Sequence, residues 1–191
     1  MARFLMLVVV AVLALQFAVF SAQRGSTSAP VTERPLILEQ NRGEVRVRRL
    51  RPGQAASWSN TVNMIKVDAR NGGSRDMMIF SEALPPGITI KTHRHLHQDE
   101  FLYIGSGKAH VHVGNLEGDA HAGAIVFIPR NTWVSVKNVG DAPIALVYGF
   151  NGTGYDKYIR CETVPKGQPA PPISTQEWKK CVALGDVEFQ Q

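Results

Sequence analysis

The stretch that decides the fold is Gly87-Ile-Thr-Ile-Lys-Thr-His93-Arg-His95-Leu-His97-Gln-Asp-Glu100-Phe-Leu-Tyr-Ile-Gly-Ser-Gly107. Residues two apart on a strand point to one face. His93 and His95 therefore present both imidazoles to one point. Glu100 opens the next apolar run and shares parity with Leu102 and Ile104, an inward-facing set, which leaves Phe101 and Tyr103 to the other face. A hairpin between the two runs is expected to set Glu100 opposite the histidines. Two imidazoles and a carboxylate converging on a point make a metal site with coordination positions left open.

Working outward, short β-type runs separated by Gly, Asn and Pro continue on both sides: Met64–Val67, Met77–Phe80, Ile88–His95, Glu100–Ile104, Ala109–Val113, Ala124–Ile128, Val134–Val136 and Ile144–Phe150. Many short strands at even spacing predict an all-β barrel or sandwich. After about residue 153 the pattern changes. Pro165, Pro169, Pro171 and Pro172 predict an extended crossing segment. Ser174 with Glu177 three residues on is a capping box, so a short helix is expected from there towards Ala183, stopped at Gly185 and anchored by Trp178.

The first run resembles the first motif of the cupin family: Gly87, His93, His95, Glu100 and Gly107 stand at that motif's spacings. The start of the family's second motif follows as Gly123, five residues and Pro129, and the motif ends at Asn138. The resemblance covers roughly residues 60–150. It implies a double-stranded β-helix (jelly-roll) barrel, with His93, His95 and Glu100 as ligands of a divalent metal ion. Iron, manganese, nickel, copper and zinc are not distinguished. The second motif departs from the family pattern. Asn131 stands where a glycine is usual, and Val134 stands where the family's remaining histidine ligand is usual. Val134 shares parity with Val136, so a methyl surface is expected to face inward there. What remains is a two-His-one-carboxylate set, an arrangement known for non-haem iron. No general base is evident, and His97, which shares the histidine parity if the strand continues, is the candidate at the pocket rim. His110 and His112 share the face opposite Val111 and Val113 and are read as surface residues. Trp133, Tyr148 and Phe150 are candidates to line the barrel mouth.

The 191-residue chain has length for one or two domains and a net charge of +5. The densest basic cluster, Arg42, Arg46, Arg48, Arg49 and Arg51, comes without a nucleic-acid-binding motif and reads as a solvated face. Residues 1–22 have the three-part pattern of a signal peptide: Met1-Ala2-Arg3, the apolar run Phe4 to Phe20, then small and polar residues. An uncleaved anchor is the alternative, although its helix of about 25 Å falls short of a ~30 Å hydrocarbon core. Secretion or a periplasmic location follows, with membrane association only if the segment is retained. Residues 23–57 are read as leader and N-terminal arm, 58–152 as the barrel and 153–191 as the C-terminal segment. In an exported chain the pair Cys161 and Cys181 suggests a disulfide, the alternative being two buried thiols. Asn151-Gly152-Thr153 has glycosylation spacing. The expected partner is a small molecule rather than nucleic acid, and outward Phe101 and Tyr103 suggest a homodimer.

Two functions follow from these residues. One is a metal-dependent enzyme of oxygenase, isomerase, lyase or decarboxylase type acting on a small oxygen-rich molecule. The other is a non-catalytic binder of such a molecule.

Overall fold

The computed structural model describes residues 33–39, 41–58 and 61–190, so the segment read as a signal peptide lies outside the described residues. Two antiparallel sheets enclose the core. The first holds seven strands in the order β11-β1-β2-β3-β10-β5-β8: β1 Glu44–Arg48, β2 Val62–Val67, β3 Met77–Leu84, β5 Glu100–Ser106, β8 Ile125–Ile128, β10 Ile144–Asn151 and β11 Thr163–Pro165. The second holds five in the order β12-β4-β9-β6-β7: β4 Thr89–Arg94, β6 Lys108–Val113, β7 Leu116–His121, β9 Val134–Asn138 and β12 Glu188–Phe189. Alternation builds the core. On β10, Ile144, Leu146, Tyr148 and Phe150 are buried, and they meet Leu102 and Ile104 of β5 and Phe80 and Leu84 of β3. The fold is the jelly-roll barrel read from the sequence.

The strand that sequence reading passed over is β7, because Leu116-Glu-Gly-Asp-Ala-His121 is polar and buries only Ala120. The C-terminal segment also differs from expectation. It enters both sheets, through β11 beside β1 and β12 beside β4. It also holds an unforeseen helix, α1 (Tyr155–Glu162), whose Tyr155, Tyr158, Ile159 and Glu162 are buried. The expected helix is α2 (Thr175–Leu184), with the Ser174 hydroxyl accepting from the Glu177 amide at 3.2 Å and Gly185 as its C-cap. Trp178 packs on Phe189 with ring centroids 5.2 Å apart. Cys161 of α1 and Cys181 of α2 are joined in a disulfide. No described helix is long and apolar enough to cross a membrane.

Arg42 is exposed as expected, but the rest of the basic cluster is not a solvated face. Arg46 and Arg48 are each only 8% exposed. Arg46 ties β1 to the C-terminal segment through the Thr163 carbonyl (2.9 Å) and hydroxyl (3.0 Å) and the Arg160 carbonyl (2.8 Å). Arg48 bridges Glu82 of β3 (2.8 Å) and Glu162 of α1, and the Tyr158 hydroxyl donates to the other Glu162 oxygen at 2.7 Å. Arg49 pairs with Glu177 at 2.7 Å, and Arg51 lies over the rings of Trp178 and Phe189. A buried guanidinium stays charged only with such partners. The cluster therefore clamps the N-terminal arm, the barrel and the C-terminal segment together.

Candidate metal centre and cavity

His93 is the penultimate residue of β4, His95 follows one residue past the strand, and Glu100 opens β5. The geometry corrects the hairpin expectation. β4 pairs with β9 and β12, whereas β5 pairs with β10 and β8, so histidines and glutamate face one another from different sheets. One ligand atom from each of His93, His95 and Glu100 lies within 4.8 Å of the others, and all three residues are buried. His95 Nε2 stands 3.7 Å from Glu100 Oε2.

Both imidazoles are oriented by backbone carbonyls. His93 Nδ1–H donates to the Lys91 carbonyl at 2.8 Å, and His95 Nδ1–H donates to the Asp186 carbonyl at 2.9 Å. Each ring therefore turns an Nε2 lone pair inward, the tautomer a metal-binding histidine needs. Phe189 stacks on His93, and Phe150 and Tyr155 close around His95. Burial pushes both imidazoles below their ordinary range, with neighbouring His93 adding to the effect on His95. Burial also pushes Glu100 up to about 8. His95 Nε2 and Glu100 Oε2 are buried with no hydrogen-bond partner. Two orphaned buried acceptors side by side are costly, and a cation between them would satisfy both. The donor set thus fits a divalent ion.

His97 does not join this group. The turn after His95 breaks strand parity and places Gln98 inward, leaving the His97 side chain 83% exposed and bonded to Asp186 at 2.7 Å. Its link to the cluster is indirect, because the carbonyl of that same Asp186 orients His95. Val134 and Val136 do face inward, and Val134 lies opposite His93 in the β4–β9 register. Asn131 takes the motif glycine's place with a positive φ of 62°, a conformation asparagine tolerates better than other side-chain-bearing residues. Its amide donates to the His95 carbonyl at 2.6 Å, so the altered motif still braces the histidine. Asn138 ends the motif by donating to the Leu84 and Ala142 carbonyls.

Trp133 lies under Arg94, 4.5 Å away, and does not line the cavity. His110 is held between Glu117 and Asp119 on an exposed surface. The Asn151 side chain bonds Asp99 through both its oxygen and its nitrogen, so the nitrogen that glycosylation would use is engaged.

The cluster opens into a cavity of about 130 Å³ inside the barrel. Leu102, Val136, Leu146 and Tyr155 form much of its wall. Tyr148, expected at the barrel mouth, does line the cavity, whereas sequence reading missed Arg48 and Glu82 in the lining. Nothing local marks Arg48 or Glu82 as interior, because their pairings span 34 and 114 residues of sequence.

Comparison with known proteins agrees with this architecture. The family described as Cupin domain matches residues 80–150. Among the curated proteins none matches the chain. Solved structures match at the level of fold. One is a sugar phosphate isomerase from a cupin superfamily of Silicibacter pomeroyi (21% identity, 62% of this chain and 77% of that one, TM-score 0.52). Another is a Klebsiella pneumoniae protein with a double-stranded β-helix domain (22%, 48% and 76%, 0.43). A third is oxalate decarboxylase from Lactobacillus farciminis (22%, 48% and 29%, 0.45).

Proposed function

We propose, for a chain that belongs to the cupin superfamily and carries its domain over residues 80–150, that the barrel holds a divalent metal on His93, His95 and Glu100 and presents it to a small oxygen-bearing molecule in the cavity. The observation that carries this reading is the pair of orphaned acceptors, His95 Nε2 and Glu100 Oε2, beside a second imidazole whose Nδ1 is also tied to a carbonyl. A metal bound there would polarise a ligand oxygen or, if redox-active, support dioxygen chemistry. The chain's own residues orient the ligating nitrogens, exclude water with Phe150, Tyr155 and Phe189, and line the ligand's path. A metal-dependent enzyme of oxygenase, isomerase, lyase or decarboxylase type is the first reading. Capture of a ligand without turnover is the second, and the methyl surface of Val134 and Val136 in place of a further polar group favours it.

Export belongs to the same proposal. It is supported by the apolar run from Phe4 to Phe20 and by the Cys161–Cys181 disulfide, which suits an oxidising compartment. Dimerisation is supported by exposed Tyr103, Ile125 and Phe127 on β5 and β8.

The test is the visible spectrum of cobalt-substituted protein titrated with small carboxylates. A saturable change is expected from oxygen ligands entering open positions. A spectrum indifferent to every carboxylate tried would remove the open site. A second outcome concerns Val134. Replacing it with His sets a third imidazole beside His93. The Val134→His variant is expected to keep metal longer under chelator dialysis, at a stability cost of about 1–3 kcal/mol for overpacking. Faster metal loss in a folded variant would contradict the inward placement of Val134.

A further inference from the structure

The cavity has a second polar region that the metal reading does not use. β10 carries three inward residues in a row. Phe150 lies opposite Glu100, Tyr148 opposite Leu102, and Leu146 opposite Glu82 of β3. Tyr148 thus stands one inward step from the metal cluster and one from Glu82, a run of about 13 Å along the strand. Each of the polar groups at that end has unused capacity. Tyr148 accepts a hydrogen bond from Asn63 and its own hydroxyl hydrogen has no acceptor among the described residues. Glu82 takes Arg48 on Oε1, leaving Oε2 free of any described partner. Arg48 is 8% exposed, lines the cavity, and has a buried Nε without a partner.

A ligand hydroxyl meets these needs because it donates and accepts at once. It can give its hydrogen to Glu82 and accept from Tyr148 or Arg48. A carboxylate at that end would confront Glu82, and an ammonium would confront Arg48. The rim points to the other half of the ligand. Half-buried Arg51 and exposed Lys91 border the cavity, while its acids, Glu82 and Glu100, are buried inside, so an anion is drawn towards the mouth. The volume is near that of an engineered cavity of ~150 Å³ that accepts benzene, which sets the ligand at about six to eight non-hydrogen atoms.

We propose that Arg48, Glu82 and Tyr148 form a hydroxyl-recognition subsite, and that the cavity takes a compact carboxylate bearing a hydroxyl at the end remote from its carboxylate. The placing of the carboxylate at His93, His95 and Glu100 rests on the metal reading above. The hydroxyl subsite stands on its own geometry.

The test compares 4-hydroxybutyrate with pentanoate, which has a methyl in place of the hydroxyl and is otherwise the same size. Calorimetric titration of zinc-loaded protein is expected to give at least tenfold tighter binding of 4-hydroxybutyrate, since the methyl leaves buried polar groups unpaired. In Tyr148→Phe the ratio should fall towards one with zinc content unchanged. Glu82→Gln, if it folds, should reduce the ratio too. Equal affinities, or no binding of either acid to protein that holds zinc, would overturn the subsite. Protein that retains no zinc would instead remove the metal reading. The pair is then measured without metal: a hydroxyl preference abolished by Tyr148→Phe keeps the subsite, and absence of preference overturns it.

Discussion

Replacing Arg48 with Met is expected to lower stability by about 3–5 kcal/mol, the penalty for breaking a buried ion pair from one side. The guanidinium bridges Glu82 and Glu162, and all three side chains are almost wholly removed from water. Without it two carboxylates remain in the interior next to Tyr158 and the cavity. Methionine restores the volume but not the charge. For a chain of this size the loss corresponds to a melting temperature lower by roughly 8–15 °C. Arg49→Met is the control. Its partner Glu177 is 47% exposed, so solvent screens the pair and little stability rests on it. Differential scanning calorimetry of both variants decides the matter. Equal melting temperatures would show that Arg48 is no more a clamp than its neighbour.

The second large effect concerns the disulfide. Cys161 and Cys181 close a loop of sequence separation 20, which contributes on the order of 3 kcal/mol. The Cys161→Ser/Cys181→Ser variant is expected to lose about that much. The consequence should extend to the site, because the joined helices hold what completes it. α1 delivers Tyr155 against His95, and the chain leaving α2 brings the Asp186 carbonyl to His95 and Phe189 to His93. The misplacement of groups that orient metal ligands costs roughly 10–100-fold in affinity. Competition with a chromogenic chelator should therefore find weaker metal binding in the serine variant, while a variant with unchanged affinity and melting temperature would separate the C-terminal segment from the site.

The legible part of this molecule is the part whose signal is local. Glu100, Leu102 and Ile104 alternate with Phe101 and Tyr103, and the structure buries the first set. Ser174 and Glu177 specify the start of α2 by themselves. His97 shares the parity of His93 and His95 only while the strand continues, and the chain leaves the strand just before it, so parity does not carry it into the cluster. The arginine cluster was misread for a different reason. Charge alone predicts solvent exposure, and only the meeting of β1, β3 and α1 reveals that Arg48 has two acids waiting. α1 lay hidden behind a β-rich pattern, since its short sequence Tyr-Asp-Lys-Tyr-Ile-Arg-Cys-Glu carries no side-chain N-cap. The same long-range pairings that conceal the clamp conceal the polar end of the cavity.

The most direct test of the central claim is the metal content of the purified protein, measured by mass spectrometry beside a His93→Ala/His95→Ala variant whose folding is checked by circular dichroism. Close to one divalent ion per chain is expected in the parent, as purified or after incubation with iron, manganese, nickel, copper or zinc, and none in the variant. A parent chain that takes up no metal from any of these, or a folded variant that holds as much as the parent, would contradict that claim.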